Sequence, residues 1–231
     1  MREIVMDTET TGLDPFDGHR IVEIGGIELL NHMPTGRVYH QYINPQRDMP
    51  KEAFDVHGIS EDFLADKPVF KEIAQEFLDF AGDAKLVIHN ASFDMKFLNA
   101  ELGWLNMPKL PMDQALDTLA IARRRFPGSP ASLDALCRRF GIDNSAREKH
   151  GALLDSEILA EVYLELIGGR QPDFGLNVAQ NVTVSTTEDQ WKPSARPKKL
   201  ASRLSKDEAE QHSEFVRKLG ESAIWNRYLA D

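Results

Sequence analysis

Cysteine is all but missing from this chain: Cys137 is the only one in 231 residues. A single thiol cannot close an internal disulfide, which fits a reducing compartment. Also missing is any apolar run of membrane-spanning length, and the first residues lack the charged and apolar regions of a secretory leader. These absences point to a soluble cytoplasmic protein. Positive charge is in short supply as well. There are 27 Lys and Arg against 37 Asp and Glu, a formal net charge of −10. Residues 171–231 hold nine of each sign, so all the excess acid lies in residues 1–170. An acidic surface argues against non-specific binding of nucleic acid over the whole molecule. It leaves open a local site at which metal ions reverse the field.

What is present is enough for one ordinary domain with an appendage. Hydrophobic residues make up 42% of the chain, sufficient for a full core. Glu3–Met6, Arg20–Leu30 and Val38–Ile43 read as strands of an antiparallel meander, punctuated by Gly12, Pro15, Gly18, Pro34 and Gly36. Lys67–Ala81 has apolar residues at helical spacing. Leu86–His89 reads as a short strand, with Asn90 or Ser92 as cap of the helix that follows to about Leu102. Leu116–Phe126, Ser132–Phe140 and Gly151–Ile167 read as further helices, the last closed by Gly168-Gly169. This order predicts an α/β fold with a mixed sheet flanked by helices. Residues 171–204 have the composition of a flexible linker. Residues 205–231 regain an apolar face, with Ala209, His212, Phe215, Val216 and Leu219 on one side and Trp225 and Tyr228 beyond. The boundaries expected are therefore a domain over 1–170, a linker over 171–204 and a docking segment over 205–231.

The chemistry is concentrated in acidic residues. Asp7 and Glu9 stand two apart after the apolar run Ile4-Val5-Met6. In a strand such residues share a face. Paired carboxylates repel unless protons or cations intervene, and hard divalent cations take oxygen ligands. A turn cluster is the bland alternative for these two. Asp94, in Asn90-Ala91-Ser92-Phe93-Asp94, falls in a first helical turn, where an acid also simply favours the helix dipole. His150 and Asp155 open the long helix, and each alone reads equally as surface. Cys137 lies on a helical face with Leu133, Leu136 and Phe140 and reads as core. The runs Arg123-Arg124-Arg125 and Arg138-Arg139 read as solvated faces or phosphate contacts.

Taken together, Asp-x-Glu, Asn-x-x-x-Asp and His-x-x-x-x-Asp in this order resemble the DEDDh family of 3′→5′ exonucleases. Val56-His57-Gly58-Ile59, Ser132–Cys137 and His150–Asp155 resemble its proofreading members in bacterial replication. The resemblance spans residues 3–170 and implies an RNase H-like fold. It implies two Mg²⁺ or Mn²⁺ ions on Asp7, Glu9, Asp94 and Asp155, with His150 as general base. An imidazole pKa of about 6.5 suits that role. Asp7, Glu9, Thr10, His57, Asn90, Phe93 and Asp155 would meet the substrate, a DNA 3′ end. Phe93 reads equally as core, and His57, following a loop over Pro45–Val56, as structural. Gln171–Leu176 resembles a sliding-clamp peptide. Residues 205–231 occupy the place at which such proteins bind the polymerase (alpha) subunit, with a small accessory subunit as a further partner. The product would be 5′-mononucleotides, and the chain would be a component of a nucleotidyltransferase holoenzyme. A ribonuclease that trims RNA 3′ ends uses the same five residues. A non-catalytic tether between clamp and polymerase would not need them.

Overall fold

The computed structural model describes residues 1–145, 147, 149–168 and 204–220. Residues up to 168 belong to one compact unit and 204–220 to a second. In the first unit, β1 (Arg2–Thr10) pairs antiparallel with β2 (Ile21–Leu30), and β2 with β3 (Met33–Tyr42). Asn31 and His32 both have positive φ, 50° and 65°, and close the β2–β3 hairpin as a two-residue turn. On its other side β1 pairs in parallel with β4 (Lys85–Ile88), and β4 with β5 (Ala115–Asp117). The strand order is β3-β2-β1-β4-β5. The expected meander and mixed sheet are both observed.

The helices are α1 (Lys51–His57), α2 (Glu61–Leu64), α3 (Phe70–Ala81), α4 (Ala91–Trp104), α5 (Thr118–Arg125), α6 (Leu133–Phe140) and α7 (Ala152–Ile167). They cover both faces of the sheet. Ile4 and Met6 of β1 pack with Phe70, Ile73 and Phe77 of α3 and with Met95 and Leu98 of α4. Val5 and Val87 face the other way, onto Leu136 and Cys137 of α6 and Leu159, Val162 and Tyr163 of α7. Tyr163 is buried in this second layer, its hydroxyl donating to the buried Glu3 at 2.5 Å.

One close approach fixes the start of α7. The backbone of Ala152 and Leu153 rests directly on Gly25 of β2, where a Cβ would lie 2.3 Å from Ala152 C and Leu153 N. Two hydrogen bonds pin the contact. The Ala152 amide donates to Glu23 Oε2 at 3.1 Å, and Ser156 Oγ donates to the Gly25 carbonyl at 3.1 Å.

Four sequence readings need correction. The loop expected over Pro45–Val56 contains α1, whose apolar residues are too few in seven positions to show a period. The helix expected over Leu116–Phe126 begins at Thr118, because Ala115–Asp117 pairs with β4 as a three-residue strand. Asn90 occupies the N-cap position of α4, but in left-handed backbone (φ 69°, ψ 53°), and no side-chain cap bond forms. Asp7 and Glu9 lie inside β1, which runs on to Thr10, and not beyond the end of a shorter strand.

In the second unit α8 (Lys206–Lys218) opens with a reciprocal Ser205–Glu208 capping box. Phe215 and Leu219 are exposed on it, while Val216 is buried. Gln171–Leu176, the remainder of 171–203, and Trp225 and Tyr228 lie outside the described residues. No described helix is long and apolar enough to cross a membrane.

Candidate active site

The alternation that buries β1 also sorts its polar end. Asp7 and Glu9 follow Val5 to the α7 face, and Thr8 follows Met6 to the α4 face. Asp155, in the first turn of α7, and Asp94, in the first turn of α4, meet them at the end of the sheet. Ligand pockets of open sheets form outside the carboxyl ends of parallel strands, here β1 and β4. Asp7, Glu9, Asp94, Asp155, His150 and Asn90 all line one cavity of about 480 Å³. Donor atoms of Glu9, His150 and Asp155 fall within 4.8 Å of one another. Asp94 is fixed by Thr8, whose hydroxyl donates to Oδ1 at 2.7 Å.

This crowding has an electrostatic signature. Burial, then the charges of Asp94, Glu9 and Asp155, push Asp7 well above the ordinary carboxylate range. Burial and the charge of Asp155 push Glu9 up to about 8. Burial raises Asp94 to about 7 despite the Thr8 hydrogen bond. Asp155 goes the other way: burial opposes ionisation, but the neighbouring His150 and the Arg147 guanidinium hold it below its usual value. Glu9 Oε1 is buried and makes no hydrogen bond. A set of carboxylates that hold protons near neutrality, one with an unpartnered buried oxygen, has the chemistry of a hard-cation site.

A second cavity, about 610 Å³, adjoins the first through Thr8, Glu9 and Phe93 and is walled by Thr10, Val56 and His57. His57 ends α1, just before the left-handed Gly58. Its Nδ1 accepts the Ile59 amide at 3.0 Å. Burial, then Lys149, lowers its pKa to about 4, so it is a neutral hydrogen-bonding group at pH 7. Phe93 joins both alternatives offered by the sequence: it packs against Phe97 of the core at 5.1 Å and lines both cavities. The Thr10 hydroxyl is spent on the Gly12 carbonyl at 2.6 Å.

The family model described as Exonuclease matches residues 4–163. A relative from Rickettsia felis named DNA polymerase III subunit epsilon is 52% identical over 219 residues, 94% of this chain and 96% of its own. The chain belongs to the exonuclease family, in its DNA polymerase III epsilon branch. Among solved structures, Exonuclease X in complex with 5′ overhanging duplex DNA shares 26% identity at a TM-score of 0.54, covering 72% of this chain and 90% of that one. The nuclease domain of 3′hExo, a DEDDh family member bound to rAMP, shares the fold at 20% identity and a TM-score of 0.61, with 72% and 91% covered. For this exonuclease, family membership implies divalent metal ions, and the carboxylate-rich donor set described above fits them.

Sequence reasoning missed three side chains that shape the candidate site. Arg147 donates from Nε and Nη2 to the two oxygens of Asp155, at 2.5 and 2.7 Å. Glu23 seats α7 from β2, and its charge helps to raise the pKa of Glu9. Thr8 was passed over between the two acids it separates. A hydroxyl alternating with carboxylates was a usable signal for Thr8; nothing local marks Glu23 or Arg147. The Arg123–Arg125 run divides. Arg123 lines the first cavity, whereas Arg125 caps the last turn of α7 through the Glu165 and Leu166 carbonyls. Arg139 covers the Phe126 ring.

Proposed function

We propose that this chain is the proofreading 3′→5′ exodeoxyribonuclease of a bacterial replicative polymerase, releasing mispaired 3′-terminal nucleotides as 5′-mononucleotides. The observation that carries the reading is the convergence of four carboxylates, Glu9 among them with an unpartnered buried oxygen, beside His150. Asp7, Glu9, Asp94 and Asp155 would hold two Mg²⁺ or Mn²⁺ ions, Asp7 serving both. Such ions, when bound, neutralise the phosphoryl oxygens and serve the attacking and leaving oxygens of the displacement. His150 stands at the open side of the cluster, its side chain 48% exposed, where its lone pair can take a proton from the attacking water. The neighbouring cavity takes the terminal nucleotide. Neutral His57 offers a hydrogen bond, Phe93 a flat apolar surface for the base and Thr10 a polar wall, while Asn90 meets the nucleotide from the adjoining carboxylate cavity. Burying the reacting end there favours a frayed or mispaired terminus, since unpairing costs least where pairing is poor.

The domain boundaries follow the same reading. Residues 1–170 do the chemistry, 171–204 form a linker with a clamp-binding peptide at Gln171–Leu176, and 205–231 dock to the polymerase (alpha) subunit in the cytoplasm. The capped helix α8, with Phe215 and Leu219 exposed, supports a docking role. The deciding experiment compares degradation of a 3′-mispaired DNA primer with single-stranded RNA, with and without Mg²⁺. Mispaired DNA should be degraded fastest and only with metal. Preference for RNA would make the enzyme an RNA-trimming nuclease, and full activity in EDTA would reject the metal assignment.

A further inference from the structure

Arg147 is placed where the proposed mechanism has no need of a cation. Its side chain is only 8% exposed. Nε and Nη2 hold both oxygens of Asp155, Nη1 reaches Asp134 Oδ1 at 2.8 Å, and Nη2 also reaches His150 Nδ1 at 2.7 Å. His150 Nδ1 lies nearer to Arg147 Nη2 than to Asp155 Oδ2, 2.7 against 3.3 Å, and a guanidinium only donates, so Nδ1 accepts from Arg147 and the ring proton is on Nε2. One side chain thus engages the two groups that the chemistry uses. Asp155 has its carboxylate face covered, and His150 has its lone pair occupied. Arg147 also offsets the repulsion among Asp7, Glu9 and Asp155. A fork of this kind is geometrically matched to a carboxylate and binds it more firmly than an ammonium does.

We propose that Arg147 is a resident counter-cation and latch, holding Asp155 and His150 engaged until a divalent ion displaces it from Asp155. The inference rests on the metal-dependent exonuclease reading above. Its consequence is a trade: Arg147 stabilises the protein without metal and weakens the metal's apparent affinity. Displacement frees the His150 lone pair at the same moment, so base and metal become available together.

The test uses the full chain with Arg147→Met and Arg147→Lys, and Mn²⁺ as the probe. Binding is measured by calorimetry without DNA, and Tm is measured in EDTA and in saturating Mn²⁺. Removing a charge-assisted hydrogen-bonded pair from the competition should tighten Mn²⁺ binding about tenfold in Arg147→Met. Tm in EDTA should fall, and the rise in Tm on adding Mn²⁺ should exceed that of the wild type. Arg147→Lys keeps a charge but cannot hold two oxygens, and should lie between. Should Arg147→Met not fold, the Lys variant carries the test alone. Equal or weaker Mn²⁺ binding in the variants overturns the latch and makes Arg147 a support for the metal site. Absence of Mn²⁺ binding or of metal-dependent DNA cleavage in the wild type would instead overturn the underlying reading.

Discussion

Replacing Gly25 by Ala should damage catalysis from a residue that touches no substrate. The new Cβ would lie 2.3 Å from Ala152 C and Leu153 N and 2.4 Å from Ala152 O. Ordinary contact begins near 3.4 Å, so the start of α7 must retreat by about 1 Å. The obstacle is backbone on both sides, and no rotamer can relieve it. Retreat stretches the Ala152–Glu23 and Ser156–Gly25 hydrogen bonds and carries Asp155 and the adjoining His150 away from Asp7 and Glu9. Overpacking of this kind costs about 1–3 kcal/mol, or a Tm lower by roughly 3–10 °C for a domain of this size. A misplacement of about 1 Å at reacting groups costs on the order of 10²-fold in rate. The assay is single-turnover cleavage of a single-stranded oligonucleotide at saturating Mn²⁺, well below the Tm of the variant. Retention of activity within about twofold of wild type, with Tm unchanged, would refute the claim that the seat of α7 on β2 places Asp155.

Other outcomes are expected. His150→Ala should lower turnover by about 10²–10⁴-fold with single-stranded DNA binding little changed; wild-type turnover across pH 6–9 would reject the base, and lost Mn²⁺ binding would make it a ligand. In EDTA, Tm should fall as pH rises from 4.5 to about 8, the ordinary and folded values for Glu9, because the folded state there binds more protons than the unfolded one. Saturating Mn²⁺ should flatten that slope, and a flat profile in EDTA would contradict the raised carboxylates. A chain ending at residue 169 should keep its exonuclease on short oligonucleotides and lose tight binding to the polymerase subunit in pull-downs; undiminished binding would place the docking site on the catalytic domain.

The parts of the site legible in the sequence were those set by short-range periodicity. Alternation in β1 put Asp7 and Glu9 on one face, and the strand-to-helix turn put Asp94 in a first helical turn. Where an element spans fewer than two of its own periods, legibility ended: β5 has three residues, α2 four and α1 seven. Hence His57 was read after a loop when it closes a helix. Arg147 and Glu23 act across 8 and 129 positions of sequence, so their partners are set by the packing of α7 on the sheet and not by neighbours in the chain. The proposed five-residue set stood out only as a combination, because each member has an ordinary structural explanation alone.

The lone thiol of Cys137 gives this fold a built-in clock. It is fully buried between β1, α6 and α7, and burial raises its pKa above the ordinary thiol value. A thiol reagent can therefore reach it only when that layer opens. Because no second cysteine competes, the labelling rate of the unmodified protein measures the opening frequency of the layer on which Asp155 stands. Metal, DNA or a docked partner that steadies the layer will be read directly as slower labelling, with no introduced probe.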